Sequence, residues 1–83
     1  MTRRALPQAH TYREVHAALA HSPSLQTERH TGRHTVYVGP HGSVPVPNHN
    51  GDVPGGTLKS IVRMATLAGL AVLVAAVVLV AIA

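Results

Sequence analysis

Eighty-three residues with seven Lys or Arg, three Asp or Glu and no cysteine allow one small domain. They exclude a large enzyme with a deep pocket, a disulfide framework and any cysteine-based zinc site. The formal net charge of +4 lies wholly before residue 64, so this part of the chain attracts polyanions such as nucleic acid or an anionic membrane surface. Seven histidines add positive charge as the pH falls toward the unperturbed imidazole value.

Residues 1–10 read as a flexible basic arm. They carry Arg3 and Arg4, show no periodicity and are interrupted by Pro7. They contain no apolar run of the kind a secretory signal requires. Residues 12–20 read as a short helix. Thr11 stands at the N-cap with Glu14 three residues on, the capping-box spacing. Val15, Ala18 and Leu19 form one apolar stripe with Tyr12 at its edge, and Pro23 ends the helix near His21.

Three short strands are expected next, over Leu25–His30, Thr35–Val38 and Ser43–Val46. The middle one is the richest in β-branched and aromatic residues. Thr31-Gly32-Arg33 and Gly39-Pro40-His41-Gly42 supply the turns. Pro45 and Pro47 lack the N–H a ladder needs, which places the third strand at a sheet edge. Residues 48–56 (NHNGDVPGG) read as a loop. A second helix is expected from Thr57 as N-cap, with Leu58, Ile61, Val62 and Ala65 turned inward. Helix, three antiparallel strands and helix, with the helices on one face, make a small α+β domain over residues 11–70.

Residues 64–83 differ from everything before them. They carry no charge, and 18 of the 20 are Ala, Val, Leu, Ile or Met. As one helix they would cover about 30 Å, the thickness of a bilayer's hydrocarbon core. Lys59 and Arg63 stand at the near edge, where cations snorkel. The reading is a C-terminal hydrophobic helix that overlaps the domain's last helix and spans a bilayer. It would tail-anchor a cytoplasmic domain in the cell membrane.

Residues with chemical potential are few. His16 and His21, and His30 and His34, stand in close pairs, but neither pair shares a helix face and no cysteine completes a metal shell. No metal or other cofactor is expected. So few acidic residues argue against a hydrolase triad, and no P-loop is present. Gly55-Gly56 ahead of a helix is either an anion site or a flexible lead-in.

An ordered set of motifs resembles the HicA toxins, small mRNA interferases paired with HicB antitoxins. It runs through Arg29-His30-Thr31-Gly32-Arg33-His34-Thr35-Val36-Tyr37 and Pro40-His41-Gly42. It continues through Val46-Pro47-Asn48-His49 and Gly56-Thr57-Leu58-Lys59-Ser60-Ile61 to Ala68-Gly69-Leu70. Glu14-Val15 in the first helix also fits. The resemblance implies a double-stranded-RNA-binding-like α-β-β-β-α fold and a metal-independent endoribonuclease. It implies mRNA as substrate, a HicB-like antitoxin as partner and His34 as the catalytic histidine. Arg29, Arg33, Lys59 and His49 are the expected RNA-binding residues. The chain departs from the family pattern in having Gly-Arg-His where Gly-Ser-His is usual. Ser22-Pro23-Ser24 also stands where an aromatic residue commonly precedes the first strand, and the thirteen residues after Leu70 are an addition. The alternative reading is a non-catalytic tail-anchored membrane protein that uses the same domain as an RNA- or protein-interaction module.

Overall fold

The structure is a computed structural model and describes Leu6 and residues 9–70. In chain order its elements are α1 (Tyr12–Ala20), β1 (Thr27–Thr31), β2 (His34–Gly39), β3 (Gly42–Pro47) and α2 (Gly55–Leu67). The strands form one antiparallel sheet in the order β1-β2-β3, so the most β-prone segment is central and the proline-bearing strand lies at an edge.

The expected capping box forms at α1. The Thr11 hydroxyl accepts from the Glu14 N–H at 3.2 Å, and the Glu14 carboxylate accepts from the Thr11 N–H at 3.1 Å. The buried residues of α1 are Tyr12, Val15, Ala18 and Leu19. Strand alternation supplies the other side of the core. Thr35, Tyr37 and Gly39 of β2 are buried, as are Val44 and Val46 of β3, whereas His34, Val36 and Val38 lie on the opposite face. Ile61 and Ala65 of α2 close the core. Both helices therefore feed one apolar cluster against one sheet face.

Five expectations need correction. The arm over residues 1–10 is not loose throughout. Leu6 is fully buried, Ala9 is nearly so, and the Val53 N–H donates to the His10 carbonyl at 2.9 Å. The first strand starts at Thr27 instead of Leu25. It is exposed along its whole length, because Thr-Glu-Arg-His-Thr offers the core nothing apolar. The second helix starts at Gly55 with Pro54 as its N-cap, three residues before the expected N-cap Thr57. Leu58 and Val62 only flank the core instead of entering it.

The largest correction concerns residues 64–83, which do not run as one helix. α2 stops at Leu67, and Gly69 takes φ +78°. The Leu70 N–H donates to the Ala65 carbonyl at 3.0 Å, and the Gly69 N–H donates to the Thr66 carbonyl at 3.1 Å. That pair of bonds is the Schellman termination, and Leu70 and Ala65, the positions whose apolar contact accompanies it, are both buried. Residues 64–70 are therefore part of the domain. Among the described residues no helix is long and apolar enough to cross a membrane. Residues 71–83 of the expected anchor lie outside the described residues.

The β2–β3 turn packs on this termination. A Cβ at Gly39 would stand 2.5 Å from the Ala68 carbonyl oxygen and 2.9 Å from Leu70 Cγ, so only glycine allows the approach. The His41 N–H donates to the same Ala68 carbonyl at 2.9 Å, and the Ser24 hydroxyl donates to the Gly69 carbonyl at 2.8 Å.

Candidate active site

The opposite end of the β2–β3 hairpin is polar. Thr31 pairs with His34, and Gly32 and Arg33 form the two-residue turn between them. Gly32 takes φ +66°, the conformation a tight hairpin turn asks of its first central residue. Arg33 adopts an ordinary negative φ and is exposed, so Gly-Arg-His builds this turn without backbone strain. His34 begins β2 on the face away from the helices.

Asn48 fastens this turn to the end of β3. Its N–H donates to the Arg33 carbonyl at 2.7 Å, and its side-chain amide donates to the Gly32 carbonyl at 3.2 Å. Its Oδ1 accepts from the buried Thr35 hydroxyl at 2.8 Å. One residue thus fixes both carbonyls of the turn, through its backbone N–H and its side-chain amide. The result is a surface hollow of about 530 Å³, lined by Gly32, Arg33, His34, Pro47, Asn48 and His49.

A second hollow adjoins it. Asn48 and His49 also line a hollow with Thr11, Arg13, His16, Asn50 and Gly51, so they form the ridge between the two. The 48–52 loop is held against the start of α1. The Tyr12 N–H donates to the Gly51 carbonyl at 3.1 Å, and Thr11 bridges Asp52. The His49 ring stands edge-on to Tyr12 with centroids 5.4 Å apart.

His16 has a structural post. The Pro47 carbonyl can only accept, so the imidazole Nε2 carries a proton toward it at 2.9 Å. In the neutral ring Nδ1 then accepts from the Tyr37 hydroxyl at 2.6 Å. Burial, with Glu28 adding a smaller charge effect, pushes the Tyr37 phenol up to about 12, which keeps it a donor at ordinary pH. This chain of bonds ties α1 to β2 and to the residue just before Asn48. His21 is also engaged, its Nδ1 donating to the Ala17 carbonyl at 2.9 Å. Among the described residues no three His, Asp or Glu side chains converge on a possible metal position.

Of the residues singled out in the sequence, His34, Arg33 and His49 share one hollow. Arg29 lies opposite Val36 on β1 and so shares the outer sheet face with His34. Lys59 is elsewhere: it lines a hollow on α2 with Gly55, Leu58, Val62 and Arg63, not the one that holds His34. Sequence reasoning missed Arg13 and Asn48. Arg13 reaches the site only because the 48–52 loop pairs with the start of α1, and no local pattern encodes that pairing. Asn48 did carry a signal, since Asn after Pro at a strand end is a residue that bonds to backbone.

No curated protein and no solved structure matches the chain. A family model does match, that of the HicA toxin of bacterial toxin–antitoxin systems, over residues 12–70. The match covers well over half of the chain and takes in both helices, the whole sheet and the polar end of the hairpin; this chain belongs to the HicA toxin family.

Proposed function

We propose that this protein is the ribonuclease toxin of a toxin–antitoxin pair, with His34 moving a proton during cleavage of mRNA. The observation that carries the reading is the exposed His34 in a hollow with Arg33 and His49, inside the family-matched segment. RNA is cut when its 2′-hydroxyl attacks the adjacent phosphate. That step needs a group able to take or give a proton near neutral pH and positive charge beside the phosphate. Imidazole meets the first need, and the guanidinium of Arg33 meets the second, with Arg13 and Arg29 extending the basic surface. Lys59 is assigned to outlying RNA contact, away from the reacting phosphate. A HicB-like antitoxin is the expected partner, and it would neutralise the toxin by covering this end of the hairpin.

The test is cleavage of single-stranded RNA by the full chain beside the His34→Ala variant. The parent should cut RNA, should leave the 2′-deoxy analogue intact, and should lose about a hundredfold or more in rate on substitution. RNA affinity should fall with salt at about −0.7 per neutralised phosphate on logarithmic axes, with roughly three or four phosphates engaged. A folded parent that leaves RNA uncut would end the enzyme reading and leave an RNA- or protein-binding module.

A further inference from the structure

We infer that His49 is the second proton-transfer residue of the reaction, so that His34 and His49 act as an acid–base pair on one phosphate. The inference rests on the ribonuclease reading of His34 and extends it. Cleavage by the 2′-hydroxyl moves two protons. The 2′-O–H bond breaks as the 2′-O–P bond forms, and its proton goes to a base. The P–O5′ bond breaks, and the departing O5′ takes a proton from an acid. The products are a 2′,3′-cyclic phosphate and a 5′-hydroxyl, with no oxidant, metal or outside reactant consumed. Attack and departure lie in line on opposite sides of phosphorus, so one imidazole is poorly placed to serve both.

The described part of the molecule offers few second groups. Glu14 accepts from the Thr11 N–H at the α1 cap, and Glu28 lies on β1 opposite Tyr37. Asp52 does not line the hollow. His16 uses both ring nitrogens inside the fold, on Tyr37 and Pro47. His30 lies across from the buried Thr35, on the other face of the sheet from His34. His49 differs from all of these: it is exposed and lines the same hollow as His34 and Arg33. Two features restrain it. Its neighbour Asn48 is bonded to the His34 turn, and its ring rests edge-on against the buried Tyr12. The hollow thus has one imidazole from the start of β2, another from the segment after β3, and a guanidinium from the turn.

The experiment compares the full-length parent with His34→Ala, His49→Gln and His49→Phe. The phenylalanine keeps a ring against Tyr12 but carries no titratable proton. Two RNA substrates are used, one ordinary and one with a sulfur in place of the bridging 5′-oxygen at the scissile bond. The thiolate leaves without protonation, so an acid becomes dispensable while a base does not. On ordinary RNA all three variants should be slower by about a hundredfold or more. On the sulfur substrate one position, 34 or 49, should return to within about tenfold of the parent while the other stays slow. Rescue at one position only identifies the acid. Parent-like cleavage of ordinary RNA by both His49 variants would overturn the inference and leave the His34 reading standing. So would rescue at both positions, or at neither. A folded parent that cuts neither substrate would remove the ribonuclease reading and this inference with it.

Discussion

The two ends of the β2–β3 hairpin are built from different materials. The Gly39–Gly42 end is packed against the termination of α2, with a glycine where no Cβ fits and Leu70 buried beside it. The His34–Pro47 end is held by side-chain hydrogen bonds from Asn48, Thr35 and His16, and it presents imidazoles and a guanidinium to solvent. Close packing tolerates no addition, whereas a hydrogen-bonded end can expose reactive groups without opening the core. A domain this small thus keeps a close-packed contact at one end of the hairpin and exposed imidazoles and a guanidinium at the other.

The sharpest way to break the comparison is truncation. A chain ending after Leu70 should keep the parent's domain fold. A chain ending after Leu67 loses the Schellman bonds and the buried Leu70, and should be destabilised by about 2–5 kcal/mol, the range for emptying a buried Leu site. Urea unfolding followed by circular dichroism checks both. Equal stability in the two truncations would mean that Ala68–Leu70 do not belong to the core.

Glycine substitutions separate the ends more finely. Gly39 has no room but an ordinary backbone, so Gly39→Ala should cost about 1–3 kcal/mol through overpacking, and Gly39→Asn more. Gly32 has open space but a positive φ, so Gly32→Ala should cost about 1–2 kcal/mol, and Gly32→Asn should recover part of it. If Asn is worse than Ala at Gly32, the turn has been misread.

At the polar end, Asn48→Ala should cost only about 0.5–1.5 kcal/mol in unfolding free energy. Its effect on RNA cleavage should be larger, roughly ten- to a hundredfold, because the turn carrying Arg33 and His34 loosens. Denaturation and initial-rate measurements on one preparation give both numbers.

A small effect of about the same size is expected at Tyr37→Phe. The core keeps its ring, and His16 loses one partner, at about 1 kcal/mol near neutral pH. The phenol is harder to ionise folded than unfolded. Its contribution is therefore complete below about pH 10 and is lost as the pH rises toward about 12. The parent should lose stability across that alkaline interval faster than Tyr37→Phe does. Parallel pH curves would remove the buried phenol from the account.

Much of this arrangement was legible in the chain, because its signals are local. Thr11 and Glu14 cap α1 through three-residue spacing, and the alternation in Thr35–Val38 puts Tyr37 and Val36 on opposite faces, though only packing decides which turns inward. Gly32 announced the turn that presents His34. The errors have physical causes. Thr27–Thr31 contains no apolar residue, so hydropathy could not place its ends, and only pairing with β2 defines them. Gly69 is a helix-stop signal, but it stands in an apolar run, and hydropathy alone extends the helix past it. Arg13 and Asn48 join the candidate site through contacts between the 48–52 loop and α1. The separation of Lys59 from His34 is likewise a matter of which elements meet in space, which spacing along the chain does not encode.

The central claim is that chemistry and stability occupy separate ends of the hairpin. The most direct measurement is the RNA cleavage rate per folded molecule of His34→Ala, with the unfolding midpoint taken on the same sample. The account predicts an unfolding free energy, taken from that midpoint, within about 0.5 kcal/mol of the parent, as for an exposed site, and a rate lower by about a hundredfold or more. Cleavage at the parent's rate by a fully folded His34→Ala protein would contradict it.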